Sequence, residues 1–282
     1  MVDAADVDIT NVKLSEPPSY KKGEKLATRQ AYGTALVKVA KSNPRVCGLD
    51  GDMKNSTFSQ ELRKVYPERH VECFICEQNL AGVGIGMACR DRTVVFMSTF
   101  ACFFSRAFDN FRMGIISQTN INVAGSHCGV SIGEDGPSQM GLEDIAMFRT
   151  LPGATVFYPS DAVATERAVE LAANTKGLCY IRLSRPATEV VYDNDEEFAV
   201  GKAKILRKSD NDCVLVIAAG ITLSQAVPAL EQLAAKGINA RLMDPFTIKP
   251  IDAEGILTNA KECGGRILVV EDHYPEVLTV AN

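Results

Sequence analysis

The carboxylate of Glu77 is the first side chain whose position in the sequence suggests chemistry. It follows the apolar segment Val71–Cys76 and precedes the small-residue segment Leu80–Ala88. A carboxylate between a buried strand and a tightly packed helix meets little water, and burial raises the pKa of a carboxyl group. Such a group can share a proton with a ring nitrogen in general acid–base catalysis. The alternative, which position alone favours, is a helix cap or a solvated turn.

Phenylalanines spaced at i, i+3, i+4, i+8 and i+11 form a second feature, and they are Phe100, Phe103, Phe104, Phe108 and Phe111. This spacing corresponds to one face of a helix and predicts that most of them belong to the hydrophobic core. Phe100 and Phe103, however, come at the start of the predicted helix, just after a predicted strand. A flat aromatic ligand could stack on a ring at that place.

A long glycine-rich loop, residues 125–139, contains three polar side chains that could contact a ligand: His127, Asp135 and Gln139. Glycine allows the backbone to approach a ligand closely, and His with Asp can bind hydroxyl or phosphate groups. An inert surface loop does not usually combine so many glycines with these donors. The sequence therefore predicts a functional loop.

Arginine side chains could form an anion site at the end of the last strand of the first sheet. Arg182 and Arg185 lie there, and Arg29 and Ser56 could reach the same edge. Guanidinium groups and a hydroxyl suit a phosphate monoester. Each arginine taken alone is more simply explained as a member of a surface ion pair. Convergence of these donors on one edge would favour the phosphate site.

The hydrophobic pattern alternates between short apolar strands and helices. Strands are predicted at Arg45–Leu49, Val71–Cys76, Thr93–Met97, Ile121–Gly125, Thr155–Tyr158 and Leu178–Leu183. Helices are predicted at Ala27–Lys41, Leu80–Arg90, Phe100–Gln118, Gly141–Arg149 and Asp161–Asn174. This alternation predicts an α/β fold with a doubly wound parallel sheet. Ligands of such sheets bind outside the carboxyl ends of the strands, where the candidate residues lie.

The chain is predicted to contain two domains. Residues 1–24 are expected to be a flexible linker, residues 25–187 the first domain, and residues 188–210 a second linker. Residues 211–282 are expected to form a second, truncated α/β domain. Its predicted elements are strands at Cys213–Ala219, Asn239–Asp244 and Arg266–Glu271 and helices over 223–235 and 253–262.

The composition excludes several classes of protein. The 282 residues carry a net charge of -5, with a pI near 5.4, so the sequence gives no electrostatic case for a nucleic acid or a membrane surface. No apolar stretch reaches the ~18 residues of a transmembrane helix, and the polar amino terminus is unlike a signal peptide. Nine scattered cysteines indicate reduced thiols in a cytoplasmic protein. Cys73 and Cys76 would point to opposite faces of a strand, so no redox or metal site is expected.

The transketolase family, especially its animal form, resembles this sequence almost residue for residue in several segments: Cys73–Asn79, Ser98–Phe108, Gly125–Gln139, Phe157–Asp161 and Asp244–Pro250. The resemblance extends from about Val7 to His273. It implies that residues 25–187 have the pyrimidine-binding fold of thiamine-diphosphate enzymes. It also implies that residues 211–282 begin the carboxy-terminal domain.

The resemblance implies roles for the residues around the cofactor. Glu77 would bond the aminopyrimidine of thiamine diphosphate and promote the tautomer that takes a proton from the thiazolium carbon. Phe100 and Phe103 would form the pocket on which the pyrimidine ring stacks. Gln139 would lie near the reacting carbon.

The resemblance also implies a substrate. The sugar phosphate would be held by Arg29, Ser56, His127 and Arg185, and Asp135 would bond a substrate hydroxyl. The implied reaction transfers a two-carbon ketol unit from a ketose phosphate to an aldose phosphate.

One departure from the family concerns the diphosphate. Its site in the family, with the Mg²⁺ ligands, is a Gly-Asp-Gly segment followed by Asn on an amino-terminal domain, and no Gly-Asp-Gly occurs here. We therefore expect this chain to bind only the pyrimidine end of the cofactor. It would work with a partner, either a transketolase amino-terminal domain or a full-length chain, in a homodimer or heterodimer.

Two other interpretations stay open. A non-catalytic truncated product that pairs with full-length transketolase would also retain Glu77, His127 and Asp135. The β subunit of a 2-oxoacid dehydrogenase has a similar size and layout, but the loop at 125–139 argues for a sugar phosphate and against that subunit.

Overall fold

The computed structural model describes residues 11–89 and 93–274, so the predicted end of the helix at Arg90 and the residues after Tyr274 lie outside the described part. The strands there are β1 (Lys25–Ala27), β2 (Val46–Asp50), β3 (His70–Glu72), β4 (Val94–Phe100), β5 (Ile121–Ser126), β6 (Thr155–Phe157), β7 (Leu178–Arg182), β8 (Ala187–Glu189), β9 (Lys204–Arg207), β10 (Leu215–Ala218), β11 (Arg241–Asp244), β12 (Thr247–Lys249) and β13 (Ile267–Val270). The α-helices are α1 (Thr28–Ser42), α2 (Lys54–Thr57), α3 (Gln60–Val65), α4 (Glu77–Ala88), α5 (Phe108–Ile116), α6 (Asp144–Thr150), α7 (Ala162–Asn174), α8 (Ile221–Ala235) and α9 (Ala253–Glu262).

The first unit is built on a seven-stranded sheet with the order β12-β6-β7-β5-β4-β2-β3. All neighbouring strands are parallel except β12, which runs antiparallel to β6. Its central strands β4, β5 and β7 are buried along their whole length. This confirms the predicted parallel sheet, because strands covered on both faces are apolar throughout rather than alternating.

Helices cover both faces of this sheet. Phe96 of β4 packs with α1 and α7 in one apolar cluster. Its neighbours Val95 and Met97 point to the opposite face and pack with α4, α5 and α6 in another cluster. Successive side chains of a strand alternate between faces, so β4 contributes to both clusters. The doubly wound arrangement leaves the carboxyl ends of the strands as the open edge.

Two predicted elements near this edge have different bounds. The strand expected at Val71–Cys76 ends at Glu72, and Phe74 has a left-handed φ of 57°, which ends regular pairing. Cys73 is buried and Cys76 is exposed, and α4 begins at Glu77 rather than at Leu80.

The prediction of a helix over Phe100–Gln118 was also wrong for the first part of this segment. Strand β4 continues to Phe100, residues 101–107 form a 3-10 helix, and α5 covers only Phe108–Ile116. The aromatic periodicity of the segment suits either type of helix, because it reports only which side chains share a face.

The second unit contains a sheet of four strands with the order β13-β10-β11-β9. The predicted strands β10, β11 and β13 are present and parallel. Strand β9 pairs antiparallel with β11 and comes from the segment that was predicted to be a linker. Strand β12 follows β11 and joins the sheet of the first unit. Short strands like these depend on a tertiary partner, which the local sequence pattern does not reveal.

Residues 11–24, expected to be part of a flexible linker, pack against α1 and α7. Val12 is buried, and its amide donates to Asn174 Oδ1 at 2.8 Å. Lys38 Nζ donates to the Pro17 carbonyl at 3.0 Å and to Glu166 Oε2 at 2.8 Å. These contacts fix residues 11–24 to the first unit, whereas residues 1–10 lie outside the described part. The exact domain boundaries stay a prediction.

None of the helices within 11–89 and 93–274 is long and apolar enough to span a bilayer.

Candidate active site

The predicted site residues follow the carboxyl ends of the parallel strands. Phe100 is the last residue of β4, and His127 comes directly after β5. Arg185 lies three positions after the end of β7, and Glu77 is the first residue of α4. Because the strands are parallel, these chain segments meet at one edge of the sheet.

Glu77 is buried, with 4% of its surface exposed, so it does not lie in a solvated turn. Its Oε2 atom has no hydrogen-bond partner. The guanidinium nitrogen Nη1 of Arg106 lies 3.6 Å from this oxygen, a distance longer than a hydrogen bond. Leaving a buried carboxylate oxygen unpaired is unfavourable, which points to a ligand as its partner.

Glu77 lines a cavity of about 450 Å³, together with Phe103, Arg106, Ser138 and Glu143 among others. Arg106 and Glu143 could not be singled out from the sequence, because isolated charged residues in predicted helical segments have no distinctive pattern. Only the packing of the 3-10 helix at 101–107 against residues 137–139 shows that they face the same space. The cavity thus combines a buried carboxylate, an aromatic ring and a cation.

The phenylalanines divide into two groups. Phe104 and Phe111 are fully buried and meet edge to face at 5.5 Å, as expected for the core. Phe100 and Phe103 are stacked, with ring centroids 5.2 Å apart, and Phe103 lines the cavity. An aromatic surface at this place can hold a planar ring.

The predicted phosphate residues lie close together. Arg29 donates from Nη1 to the carbonyl of Ser56 at 2.7 Å and from Nε to the carbonyl of Arg185 at 3.3 Å. Asp135 Oδ2 lies 2.9 Å from Arg185 Nε and 3.6 Å from His127 Nε2. These contacts join five residues: Arg29, Ser56, His127, Asp135 and Arg185. We call them the phosphate cluster, after the role that the resemblance implies for all of them except Asp135, which would bond a substrate hydroxyl.

Burial controls the charge of His127, which is 2% exposed. Burial, with the nearby Arg29 and Arg185 guanidinium groups, lowers the pKa of His127 to about 3. The imidazole is therefore neutral near pH 7 and takes part in hydrogen bonds without adding charge. Its Nδ1 lies 3.0 Å from Ser126 Oγ. Burial, followed by Arg185, also lowers the pKa of Arg29.

Acidic residues of the loop neutralise Arg185. Its guanidinium contacts Asp135 at 2.9 Å, Glu134 at 2.5 Å and the Ile132 carbonyl at 2.9 Å. The Glu134 side chain is 76% exposed, so another anion could replace it at little cost. The cluster can in this way exchange a carboxylate for a phosphate group.

Gln139 ends a short 3-10 helix next to the cavity. Its Oε1 accepts a hydrogen bond from Ser138 Oγ at 2.6 Å, and both Ser138 and Met140 line the cavity. Gln139 is therefore next to the cavity in sequence, between two residues that line it, but is not one of the lining residues.

Arg182 does not belong to the phosphate cluster, which corrects its assignment with Arg185. It is fully buried and pairs with Asp144 at 2.8 Å and with Asp272 at 2.7 Å. Side chains two or four residues apart share a face of a strand, but Arg185 lies three positions away and beyond the strand end. Within the described ranges, no group of three or more His, Cys, Asp or Glu residues forms a metal site.

Comparison with known families identifies both units of this fold. Residues 24–190, which contain the seven-stranded sheet except for β12 and carry the candidate site, match the family model "Transketolase, pyrimidine binding domain". Residues 201–278 match the model "Transketolase, C-terminal domain". The chain belongs to the transketolase family, which confirms the resemblance found in the sequence.

Individual relatives agree with this. The chain is 60% identical to transketolase of Mus musculus and 59% identical to that of Homo sapiens, each over 274 residues. The alignment covers 97% of this chain and 44% of each relative, so the chain spans less than half of their length.

Solved structures show the same fold. A protein described as a split gene transketolase, inactive beta4 tetramer, superposes with a TM-score of 0.80 at 37% identity and covers 89% of this chain and 81% of its own. Transketolase from Campylobacter jejuni superposes with a TM-score of 0.84 at 21% identity, covering 97% of this chain and 43% of its own, and supports the fold alone.

Proposed function

We propose that this chain provides the pyrimidine-binding half of a transketolase active site and that it catalyses two-carbon ketol transfer between sugar phosphates when a partner supplies the diphosphate-binding domain. The observation that carries the proposal is the buried Oε2 of Glu77, which has no hydrogen-bond partner and belongs to a residue that lines a cavity with Phe103. Membership of the transketolase family supports the proposal, and the 282 residues span less than half of the relatives' length.

The residues around the cavity fit the pyrimidine end of thiamine diphosphate. An aminopyrimidine offers ring nitrogens that need a carboxylate partner and a flat face that needs an aromatic surface, and Glu77 and Phe103 supply them. When bound, the cofactor supplies the electron sink for breaking and forming the carbon–carbon bond. Glu77 Oε2 would exchange a proton with a ring nitrogen, and its burial keeps water from competing.

The phosphate cluster would hold the phosphate of the sugar. Arg29 and Arg185 provide guanidinium donors, Ser56 a hydroxyl, and neutral His127 a ring N–H. Glu134 would leave Arg185 as the phosphate binds. Asp135 would then accept a hydrogen bond from a sugar hydroxyl, and Gln139 would lie near the reacting carbon.

The partner would be a transketolase amino-terminal domain or a full-length chain, in a homodimer or heterodimer. The diphosphate and Mg²⁺ would be bound by that partner, because the sequence contains no Gly-Asp-Gly segment. All nine cysteines are free, which supports a reducing compartment such as the cytoplasm.

Complementation tests this proposal. The chain would be mixed with a separately produced transketolase amino-terminal domain, and ketol transfer would be measured with thiamine diphosphate and Mg²⁺. We expect turnover only in the mixture and not with either part alone. A stable complex that contains the cofactor but has no turnover would instead favour the non-catalytic pairing product.

A further inference from the structure

A buried cation, Arg182, contacts the end of the loop that carries His127 and Asp135 and has no role in the proposed chemistry. It is the last residue of β7 and has 0% of its surface exposed. Its Nε donates to Asp144 at 2.8 Å, and its Nη1 donates to Asp272 at 2.7 Å. A buried guanidinium is costly unless its donors are satisfied, so these two carboxylates are essential partners.

Two tyrosine hydroxyls complete the hydrogen bonds of the carboxylates. Tyr180 donates to Asp144 Oδ2 at 2.6 Å, and the Tyr158 hydroxyl lies 3.0 Å from both oxygens of Asp272. Burial raises the pKa of both hydroxyls well above the ordinary value, so they stay protonated and act as donors. We call Arg182, Asp144, Asp272, Tyr158 and Tyr180 the buried ion cluster.

The buried ion cluster contacts both ends of the loop formed by residues 127–141. Arg182 Nη2 donates to the Gly141 carbonyl at 3.0 Å, and the same carbonyl accepts from the Gly129 amide at 2.8 Å. The Gly141 amide donates to the His127 carbonyl at 3.1 Å. A Cβ atom on Gly129 would lie 1.8 Å from Asp272 Oδ2, so this carboxylate packs directly on the loop backbone.

Asp272 reaches the loop from the second unit. It follows β13, within the range that matches the transketolase C-terminal domain. Nearby, the Tyr274 amide donates to the Leu142 carbonyl at 3.3 Å. The loop itself contains Gly133 and Gly136 in the positive-φ region. Such a glycine-rich segment has high conformational entropy, and fixing its two ends reduces the conformations that it can reach.

We propose that Asp272 is a positioning residue: through Arg182 and Gly129 it fixes the base of the loop 127–141, so that the second unit determines where His127 and Asp135 lie in the phosphate cluster. Asp272 acts through the loop backbone rather than by touching the substrate. Its effect on catalysis rests on the proposed function, whereas its effect on the loop does not.

The substitution Asp272→Asn tests the effect on the loop. It preserves the size of the side chain and an acceptor for Tyr158, but it removes a negative charge that faces Arg182. Hydrogen exchange of the full chain, followed by mass spectrometry, would compare the amides of residues 127–141 with those of β4. We expect the loop amides to exchange about tenfold faster or more, relative to β4, because the buried pair that restrains the loop is broken.

Asp212→Asn is the matched control. Asp212 is also buried in the second unit, and it pairs with Arg241 at 3.3 Å and with Ser209 at 2.7 Å, both in that unit. Its substitution should speed exchange around Arg241 and leave the loop unchanged. Asp272→Ala, which removes the carboxylate without placing an amide against Arg182, gives a second variant if Asp272→Asn does not fold. Unchanged loop exchange in the folded variant, or equal acceleration in the Asp272 and Asp212 variants, overturns the proposal.

The complemented enzyme provides the second readout. Asp272→Asn should raise KM severalfold for phosphorylated sugars and less for unphosphorylated ones, because free sugars lose only the contacts of Asp135 and Gln139 and not those of the phosphate. Faster loop exchange with an unchanged KM would contradict the effect on the phosphate cluster. If the wild-type mixture itself gives no turnover, the proposed function fails, while the exchange comparison still decides whether Asp272 fixes the loop.

Discussion

The imidazole of His127 stacks on the ring of Phe100, with centroids 3.8 Å apart and an interplanar angle of 22°. Phe100 stacks in turn on Phe103, which lines the cavity beside Glu77. A continuous row of rings therefore joins the candidate cofactor cavity to the phosphate cluster. Because burial and two nearby guanidinium groups keep His127 neutral near pH 7, the row carries no charge. Under the proposed function, a pyrimidine ring on Phe103 and a sugar phosphate at His127 would lie at the two ends of this row.

The three histidines should titrate differently. Burial lowers the pKa of His70 to about 4 and that of His127 to about 3. Burial alone would lower the pKa of His273 too, but the Glu271 carboxylate, 3.3 Å away, and the Tyr274 carbonyl raise it. Imidazole NMR signals should therefore show one titrating histidine, His273, between about pH 5 and 8. A second signal that titrates in this range and disappears in His127→Gln would contradict the burial of His127.

The lowered pKa of His127 predicts how acid affects the stability of the fold. Because the folded-state pKa of His127 lies below its ordinary value of 6.5, protonation favours the unfolded state. Acidification from about pH 6.5 towards 3 should destabilise the fold through this residue. We expect the free energy of unfolding of the wild type to fall relative to that of His127→Gln over this window, as measured by urea titration. If the difference in the free energy of unfolding between the wild type and His127→Gln did not change with pH, the imidazole of His127 would have to be solvated.

Substitution of Glu77 by Gln should nearly abolish turnover of the complemented enzyme without unfolding it. An amide cannot exchange the proton with the pyrimidine, and the loss of a charge-assisted hydrogen bond at this buried position costs ~2 kcal/mol or more. Glu143→Gln is the matched control, because Glu143 lines the same cavity but already contacts the Leu142 amide at 3.1 Å. Near-normal turnover of Glu77→Gln would show that another carboxylate does this work.

The phosphate cluster should discriminate between phosphorylated and free sugars. Arg185→Ala and His127→Ala remove groups that would touch only the phosphate, so they should raise KM for phosphorylated sugars more than for unphosphorylated ones. Arg112→Ala is a suitable control, because Arg112 pairs with Asp109 on an exposed part of α5. Equal losses with both kinds of sugar would exclude the phosphate role.

A protein that consists of these 282 residues alone should show no transketolase activity and should bind thiamine diphosphate weakly. The diphosphate and Mg²⁺ carry most of the charge of the cofactor, and their ligands in the family lie on another domain. Calorimetry with and without Mg²⁺ tests this. Tight binding that depends on Mg²⁺ would mean that the chain has its own diphosphate site.

The second unit should be the less stable part of the molecule. Strand β13 is at the edge of its sheet. Its first two residues, Ile267 and Leu268, are 47% and 52% exposed. Adjacent strand residues point to opposite faces, so both faces of the sheet are poorly covered there. In hydrogen exchange, amides of Ile267–Val270 should lose protection before those of β4. Equal protection of the two strands would show that the second unit is as stable as the first.

The central parallel sheet could be predicted because its strands are continuous apolar segments separated by amphipathic helices. Sequences of this kind can be buried in few other ways. The short strands β9 and β12 could not be predicted. Strand β9 has four residues and depends on its pairing with β11, and β12 has three residues and depends on its pairing with β6. The packing of residues 11–24 was missed for the same reason. Val12 is 162 positions from its partner Asn174, and Pro17 is 21 positions from Lys38, so only the folded chain brings them together.

For the site, the sequence by itself determined which residue types are available: the carboxylate of Glu77, the paired rings of Phe100 and Phe103, and the polar residues of a glycine-rich loop. Tertiary structure decided how they are used. It left Glu77 Oε2 buried without a hydrogen-bond partner, and it brought Arg29 and Arg185 together. It also withdrew Arg182 from the surface into ion pairs with Asp144 and Asp272. Charge and hydrogen bonding depend on burial and on neighbours in space, which adjacent positions in a sequence do not specify.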